Sequence, residues 1–242
     1  MNVFVIVPVY NEKEVLAGTI DQLMACGSDV ERILIVNDGS TDGTAQLADR
    51  LAGKFPDMVS VINSAHEGFA QAIRTGISAV PEGAAFVVVM ADACDDLTQI
   101  RKMCALIIDA DVVVASRYVP GGRRQGGDWL KAAGSRAVNL FFAALLRGRC
   151  HDATNSFKMY RKLILRDVVL TSRGFEISME MTVKAFRRGA RFVEIPTQWI
   201  ERRQGTSKFH LLRHGWRYVL GVLMFAGQHD KDGHGGAGPA TR

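Results

Sequence analysis

The chain has 242 residues, 48% of them hydrophobic and 23% charged, with a formal net charge of +5. These values are ordinary for a globular protein, and the length suits one large α/β domain or a domain with an appendage. Four widely spaced cysteines without a CxxC pair exclude a disulfide framework and a cysteine zinc site, and they indicate a reducing compartment. No apolar run reaches the ~18–20 residues that span a bilayer, and no leader-like segment precedes the first apolar run.

Arginine and lysine concentrate in the second half of the chain. This asymmetry favours an anionic partner, such as phosphates or a membrane surface, over a uniformly basic nucleic-acid binder, so we predict no nucleic-acid partner. A solvated basic face explains the same distribution of charge equally well.

Short apolar runs alternate with stretches of helix-like apolar spacing along the first half of the chain. Strands are predicted at 3–9, 33–36, 58–62, 86–90 and 111–115, and helices at 15–24, 45–51 and 68–80. Such alternation is typical of a parallel sheet covered by helices. The sequence therefore predicts an α/β fold with a mostly parallel central sheet flanked by helices.

Polar side chains follow three of these strands. Tyr10 and Glu12 come after the first, Asp38 and Asp42 after the second, and acids within 92–96 after the fourth. Each loop alone is also ordinary turn chemistry, because Asp, Asn and Gly dominate turns. Parallel strands bring their carboxyl ends to one edge of a sheet, where open α/β folds bind ligands. We therefore expect a nucleotide-diphosphate site at that edge, although neither GxxxxGK[ST] nor GxGxxG is present.

The loop after the fourth strand carries three carboxylates, those of Asp92, Asp95 and Asp96. Acids at such a strand end can hold a divalent cation, which in turn can hold a diphosphate. An acidic turn that caps the helix starting near residue 97 is the alternative, because Asp is favoured at helix N-termini.

Several motifs along the chain, taken together, resemble one known family. They are VPVYNE at 7–12, NDGSTDGT at 37–44, the acid cluster at 92–96, SRY at 116–118, DATNSFK at 152–158, GFEISME at 174–180, EIP at 194–196 and RRQGTSK at 202–208. In this order and spacing they resemble the family 2 glycosyltransferases, and most closely the branch that includes dolichyl-phosphate mannose synthases. The resemblance covers about residues 1–225 and implies a GT-A type nucleotide-diphospho-sugar transferase fold.

The resemblance also implies a donor site and a metal. In such enzymes the first-strand motif and the DGS loop hold the nucleotide, and acids after the fourth strand hold Mg²⁺ or Mn²⁺ against the diphosphate. The implied nucleotide-sugar-binding residues are Pro8, Tyr10, Glu12, Asp38, Asp42 and Asp92, and the implied metal ligands are Asp92 and Asp95. A metal there would neutralise the leaving nucleoside diphosphate.

The acid motif departs from the family pattern. Where the family usually has Asp-Ala-Asp-Leu-Gln, Ala91 and Ala93 replace both acids, and Asp95 replaces the glutamine. Either the site uses a pair shifted in register, Asp92 and Asp95, or it has lost its metal. We favour the shifted pair.

The resemblance places the acceptor in the second half of the chain. Catalytic roles are implied for Asp92, Arg117, Arg202 and Lys208, and contacts to the acceptor phosphate for Arg117, Ser156, Lys158, Arg202 and Lys208, with a lysine at 158 where arginine is common. Arginine suits this work through its bidentate fork and permanent charge. A polyprenyl phosphate would attack the anomeric carbon directly, so a single displacement would invert it.

The domain prediction has three parts. The first part is a catalytic domain at 1–208, with a nucleotide-sugar half at 1–118 and an acceptor half at 119–208. The second part is an amphipathic, possibly membrane-surface helix at 209–227, and the third is a disordered tail at 228–242. A basic amphipathic helix at 129–146 either lies on a membrane or simply covers the sheet. We expect a cytoplasmic enzyme associated peripherally with the inner face of the membrane, and a homo-oligomer is possible.

Two alternatives stay open. The first is a transferase with a soluble or saccharide acceptor, which needs a carboxylate base such as Asp96, Asp152 or Glu180. The second is a non-catalytic nucleotide-sugar-binding protein, suggested by the altered acid motif. Glu176 and Glu180 either contact the acceptor or sugar, or form a structural ion pair with Lys184 or Arg187.

Overall fold

The computed structural model describes residues 1–126 and 129–201. The elements in chain order are β1 Val3–Val9, α1 Leu16–Met24, β2 Arg32–Asp38, α2 Thr44–Lys54, β3 Val59–Ser64, α3 Phe69–Ala79, β4 Ala85–Val88, α4 Gln99–Leu106, β5 Val112–Ser116, β6 Arg123–Gln125, α5 Trp129–Leu145, β7 Lys158–Arg161, α6 Ile177–Arg187, β8 Phe192–Pro196 and β9 Gln198–Ile200. The predicted amphipathic segment 209–227 and tail 228–242 lie outside the described residues.

The central sheet has seven strands in the order β3-β2-β1-β4-β7-β5-β8. All neighbouring pairs are parallel except those of β7, which runs antiparallel to both β4 and β5. The prediction of a mostly parallel α/β sheet is confirmed. Strand β7 was not predicted, because its four residues, KMYR, include two charges and form no apolar run.

Alternate residues of the buried strands face opposite sides of the sheet, so each side has its own core. Val5 and Val7 of β1 pack with α1, α2 and α4, whereas Phe4 and Ile6 pack with α3, α5 and α6. Helix α3 approaches closely, because Gly76 has no side chain: a Cβ there would lie 2.4 Å from Cγ2 of Ile6. The parallel strands β1, β2, β4 and β5 therefore present their carboxyl ends at one edge.

A small second sheet joins β6 to β9 in parallel at this same edge. Asp95 pairs with Trp199 in an isolated antiparallel bridge, and the Ile200 amide donates to the Cys94 carbonyl at 3.0 Å. The acid loop that follows β4 is thus fixed by the segment after β8. Within residues 1–126 and 129–201, every helix is too short or too polar to cross a bilayer.

Candidate functional site

The loops after β1 and β2 are joined by hydrogen bonds into one surface. The Asn11 amide donates to the Ser40 hydroxyl at 3.0 Å, and the Thr41 amide donates to Asn11 Oδ1 at 2.7 Å. The Glu12 amide donates to Thr44 Oγ1 at 2.9 Å. Asn11 adopts a positive φ of 53°, which its short polar side chain tolerates. These bonds bring the predicted nucleotide residue Glu12 beside the loop that carries Asp42.

Asp42, a predicted nucleotide residue, supports the start of α2. Its Oδ1 accepts hydrogen bonds from the Thr44 amide at 2.9 Å and the Thr44 hydroxyl at 2.5 Å, and Oδ2 accepts one from the Lys13 amide at 3.3 Å. Partial burial would raise the pKa of this carboxyl, but the hydrogen bonds outweigh it and hold the pKa below its ordinary value. Asp42 is therefore ionised, and its carboxylate orders the loop between β2 and α2.

Asp38, also predicted for the nucleotide, ends β2 almost fully buried. Its Oδ1 accepts from the Ser64 hydroxyl at 3.1 Å and the Glu67 amide at 2.9 Å, and its Oδ2 accepts from the Gly68 amide at 3.0 Å. The carboxylate is therefore turned toward the loop between β3 and α3. Asp38 brings that loop, which the sequence reading did not include, to the candidate site.

His66 is the residue of that loop that sequence reasoning missed. Its ring stacks on Tyr10 with 4.4 Å between centroids, and its Nδ1 lies 2.9 Å from the Asp38 carbonyl oxygen. Because a carbonyl oxygen only accepts, Nδ1 carries the hydrogen. The backbone is strained, with φ at 30°, and a Cβ on Gly39 would lie 2.9 Å from the His66 Cβ. The sequence did carry one signal for it, since residues 65–68 follow β3, the third parallel strand.

The remaining predicted residue of the first motif, Pro8, is buried within β1 and pairs in register with Val36 of β2. It lies two residues before Tyr10, at the carboxyl end of the strand. The structure therefore brings all five predicted nucleotide residues of the first two loops to one edge of the sheet, with His66 beside them.

Two of the three acids after β4, Asp96 and Asp92, accept hydrogen bonds within their own loop. Asp96 accepts from the Thr98 amide at 3.2 Å, the Thr98 hydroxyl at 2.5 Å and Gln99 Nε2 at 3.0 Å. These bonds order the turn that leads into α4, whose N-cap residue is Thr98, so Asp96 has the structural role in an acidic turn before the helix. Asp92 accepts from the Cys94 amide at 3.1 Å, which tightens the turn through Ala93, whose φ is 56°.

Among the three acids of this loop, Asp95 has a buried carboxylate oxygen without a hydrogen-bond partner. The residue is 8% exposed, and the unpartnered oxygen is Oδ1. Burial, and after it the charge of Asp92, raises the pKa of this carboxyl to about 7, although the charge of Arg117 opposes the rise. A buried carboxylate oxygen without a donor, close to a second carboxylate, is the arrangement that a cation relieves. Asp92 and Asp95 therefore fit a divalent metal.

This pair supplies only part of a coordination shell. The described ranges 1–126 and 129–201 hold no group of three or more His, Cys, Asp or Glu residues arranged for a metal. Since Mg²⁺ usually keeps several waters and uses one or two carboxylates with substrate phosphates, two protein ligands are sufficient for a metal that arrives with a diphosphate.

Arg117 donates most of its hydrogen bonds to Asp152. The sequence predicted that this arginine contacts phosphate and acts in catalysis. Its Nε and Nη2 donate to the two carboxylate oxygens at 2.8 Å each, its amide donates to Oδ2 at 2.9 Å, and Nη2 also reaches Thr154 Oγ1 at 3.1 Å. Burial would lower the pKa of Arg117, but Asp152 outweighs it and raises the pKa. A permanently charged guanidinium is thus fixed near Asp95.

Lys158, predicted to contact the acceptor phosphate, lies fully inside the fold. Its Nζ donates to the carbonyls of Ala153 and Asn155 and to the Ser178 hydroxyl. Burial lowers its pKa to about 8. The interpretation of Lys158 as a phosphate-contacting residue does not fit this position, because β7 is an interior strand. Ser156 is half-buried, and its carbonyl accepts from the Lys158 amide at 2.7 Å.

Glu180 is structural. It is fully buried, forms an ion pair with Lys184 at 2.7 Å, and accepts hydrogen bonds from the amides of Thr171 and Ser172. Glu176 Oε1 accepts from the amides of Arg173 and Gly174 in the loop before α6. The ion-pair alternative therefore holds for Glu180. Arg202 and Lys208, the other predicted catalytic residues, lie outside the described residues.

Comparisons with known proteins agree with this geometry. The family model described as "Glycosyl transferase family 2" matches residues 4–169. The chain is 33% identical over 216 residues to polyprenol monophosphomannose synthase of Mycolicibacterium smegmatis, covering 84% of this chain and 79% of that protein. It is 30% identical over 213 residues to undecaprenyl-phosphate mannosyltransferase of Micrococcus luteus, covering 86% and 87%.

Solved structures identify the fold. A crystal structure of glucosyl-3-phosphoglycerate synthase from Mycobacterium tuberculosis, in complex with Mn²⁺, uridine diphosphate and phosphoglyceric acid, matches with a TM-score of 0.70 and 14% identity, over 95% of this chain and 80% of that chain. The fold is therefore the GT-A fold of nucleotide-sugar-dependent glycosyltransferases, as predicted. The chain belongs to glycosyl transferase family 2.

Proposed function

We propose that this enzyme transfers a hexose from a nucleotide-diphosphate sugar to a polyprenyl phosphate, with inversion at the anomeric carbon. The observation that carries the proposal is the likeness to two proteins named for polyprenyl- and undecaprenyl-linked mannosyl transfer, each aligned over more than four-fifths of this chain. Their names favour mannose as the sugar. The donor nucleotide, GDP or UDP, is a question for the experiment below.

The donor binds at the carboxyl edge of the sheet in this proposal. Tyr10 and Glu12 of the first loop, the DGS loop with Asp38 and Asp42, and His66 surround the base and ribose. The hydrogen bonds that join these loops support it, because a preformed site costs less ordering free energy when a ligand binds.

Asp92 and Asp95 hold Mg²⁺ or Mn²⁺ in this proposal. The orphaned Oδ1 of Asp95 and the proximity of Asp92 support the pair. A bound divalent cation supplies charge neutralisation for the departing nucleoside diphosphate. Arg117, fixed by Asp152, contributes a second positive charge near Asp95.

The acceptor phosphate is the nucleophile. A phosphate monoester is largely ionised near neutral pH, since its second pKa is ~6, so the reaction needs no strong base. The three candidate bases for a saccharide acceptor all have structural partners: Asp96 accepts from the Thr98 hydroxyl before α4, Asp152 holds Arg117, and Glu180 is buried against Lys184. Orientation of the phosphate by Arg117, Arg202, Lys208 and Ser156 would then be catalysis by positioning.

The enzyme works at the cytoplasmic face of the membrane in this proposal, as a peripheral protein. A polyprenyl chain keeps the acceptor in the bilayer, whereas nucleotide sugars are water-soluble, so the reaction takes place at the interface between the two. The concentration of arginine and lysine in the second half of the chain favours contact with an anionic surface.

The test is a donor and acceptor screen on the purified protein. Nucleoside diphosphate release is followed with Mn²⁺, a short-chain isoprenyl phosphate and each of several GDP- and UDP-sugars. Asp92→Ala and Asp95→Ala are compared with Asp57→Ala, whose carboxylate is exposed elsewhere on the surface. We expect release that requires the lipid phosphate, falls at least about a hundredfold in the first two variants and is unchanged in the third.

Other outcomes decide between the alternatives. Release that requires a free saccharide and ignores the isoprenyl phosphate would show a soluble-acceptor transferase. Donor binding without release, with every acceptor tried, would favour a non-catalytic nucleotide-sugar-binding protein. Full activity of Asp95→Ala in the presence of a chelator would remove the metal from the proposal.

A further inference from the structure

Three segments of the chain lie side by side at the carboxyl edge of the sheet: the acid loop, strand β9 and strand β6. Asp95 pairs with Trp199 in the antiparallel bridge, and Trp199 pairs in register with Arg124 in the parallel β6–β9 ladder. Residues that pair directly across neighbouring strands have their side chains on the same face of a sheet. Asp95, Trp199 and Arg124 therefore form one row, and their side chains share one face.

The contact between Arg124 and Trp199 agrees with this arrangement. The guanidinium carbon Cζ of Arg124 lies 4.7 Å from the centroid of the Trp199 ring. The preceding residues of the two strands, Arg123 and Gln198, pair in register and are both exposed, so they occupy the opposite face. The half-buried side chain of Arg124 is thus held on the face that carries Asp95.

The guanidinium of Arg124 keeps its hydrogen-bond donors. Its Nε is buried without a partner, and no residue in 1–126 or 129–201 accepts a hydrogen bond from it or forms an ion pair with it. Thr197, two residues before Trp199 and therefore on the same face, also has a buried hydroxyl without a partner. By contrast, the guanidinium of Arg117 donates to Asp152 through Nε and Nη2. Unpartnered donors gathered on one face are the arrangement that an anion satisfies.

We propose that Arg124 contacts the phosphate of the isoprenyl phosphate acceptor. The proposal rests on the proposed function, because a phosphate acceptor is what brings a second anion to a site that already holds the donor diphosphate. Neighbouring strands lie ~4.8 Å apart, so the Cα atoms of Asp95 and Arg124 are separated by about 10 Å, with Trp199 between them.

This separation suits a single displacement. A phosphate oxygen of the acceptor forms the new bond to the anomeric carbon while the bond to the diphosphate oxygen breaks, and that electron pair leaves with the nucleoside diphosphate. The attacking and leaving phosphates lie on opposite sides of the carbon, so each needs its own positive charge. Asp92 and Asp95, with their cation, serve the leaving group, and Arg124 serves the acceptor. Its planar fork can donate two parallel hydrogen bonds to a phosphate, and Trp199 fixes the position of that fork.

The experiment compares Arg124→Met with Arg123→Met. Methionine keeps an apolar stem on Trp199 and removes the charge, and Arg123 is the neighbouring arginine on the opposite face. Affinity for a short-chain isoprenyl phosphate is measured by calorimetric titration in the presence of Mn²⁺ and GDP or UDP. We expect at least about tenfold weaker binding by Arg124→Met and binding within about twofold of the wild-type value by Arg123→Met.

Two further readouts separate a phosphate contact from a structural role. Affinity for Mn²⁺ with GDP or UDP should stay within about twofold of the wild-type value in Arg124→Met, because the donor has its own ligands. Arg124→Lys keeps the charge but not the fork, so it should recover part of the lost affinity for isoprenyl phosphate. A thermal unfolding curve shows that each variant is folded.

Three results would overturn the proposal. The first is equal affinity of Arg124→Met and the wild-type protein for isoprenyl phosphate. The second is a selective loss of nucleoside diphosphate affinity, which would place Arg124 on the donor. The third is an equal loss in Arg123→Met, which would show an effect of net charge alone.

The outcome is separable from that of the proposed function, because binding of isoprenyl phosphate is measured without turnover. Weaker binding by Arg124→Met, with no transfer to any isoprenyl phosphate by the wild-type protein, would contradict the proposed function and leave the Arg124 contact standing. Transfer by the wild-type protein, with undiminished isoprenyl phosphate binding by Arg124→Met, would do the reverse.

Discussion

The carboxylate of Asp152 accepts three hydrogen bonds from one residue, Arg117: Nε and Nη2 donate at 2.8 Å and the backbone amide at 2.9 Å. The Asp152 side chain is fully buried and that of Arg117 is 9% exposed. The pair therefore joins the loop after β5 to the loop before β7. It also fixes a positive charge beside Asp95, which carries the unpartnered oxygen of the acid loop.

Removal of one member of this pair should be costly. Asp152→Ala leaves the guanidinium of Arg117 buried without its counter-ion, and we expect the free energy of unfolding to fall by about 3–5 kcal/mol in urea titrations. The double variant Asp152→Ala with Arg117→Met removes both charges and should recover part of that loss. If the single and double variants are equally unstable, the interaction between the two charges does not govern stability.

His66 should contribute to nucleotide affinity by stacking. Base–aromatic stacking is worth about 1–3 kcal/mol, so His66→Ala should weaken binding of the nucleoside diphosphate by roughly 5–150-fold in calorimetric titration. His66→Phe keeps an aromatic face on Tyr10 and should recover most of the affinity. Equal affinities of His66→Ala and the wild-type protein would place the base elsewhere.

Glu180 should matter for stability and not for ligand binding. It is fully buried, with an ion pair to Lys184 and hydrogen bonds from the amides of Thr171 and Ser172. Glu180→Gln leaves the ammonium of Lys184 without its counter-ion, so we expect the free energy of unfolding to fall by about 1–3 kcal/mol. Nucleotide affinity should stay within about twofold of the wild-type value. A selective loss of turnover by a fully stable Glu180→Gln protein would contradict this.

Lys158 should make stability depend on alkaline pH. Burial lowers its pKa from 10.5 to about 8, so between these values the unfolded chain binds more protons than the folded one. Stability therefore rises with pH across this window. Relative to Lys158→Met, the wild-type free energy of unfolding should gain up to about 3 kcal/mol between these pH values. A constant difference would show that the hydrogen-bonded ammonium keeps its charge.

Two helical glycines should respond oppositely to alanine. A Cβ on Gly76 would lie 2.4 Å from Ile6 Cγ2 in the packed core, whereas a Cβ on Gly18 meets nothing within 4 Å. Gly76→Ala should lower the melting temperature through a cost of about 1–3 kcal/mol. Gly18→Ala in α1 should raise stability by about 0.5–1 kcal/mol through helix propensity. A tolerated Gly76→Ala would mean that α3 can shift away from β1.

The sequence by itself predicted most of the parallel sheet and the edge where the site lies. Buried strands such as β1 and β2 are continuous apolar runs, and the polar loops after them follow from local chain chemistry. Strand β7 was missed, because its position between β4 and β5 depends on antiparallel pairing with strands distant in sequence. Its pattern alone carries no such information.

The same division applies to the candidate site. The sequence identified Asp38 and Asp92 by their place after strands and Arg117 through the family resemblance of its motif, because residue type and order can be read from the chain alone. Only the tertiary structure decided what each side chain contacts: Asp38 holds the loop of His66, and Arg117 is bound by Asp152. Hydrogen-bond partners and burial depend on segments that are distant in the chain, and a motif does not contain them. Packing leaves the Asp95 carboxylate with an oxygen that has no hydrogen-bond partner, whereas it encloses Lys158 in the core.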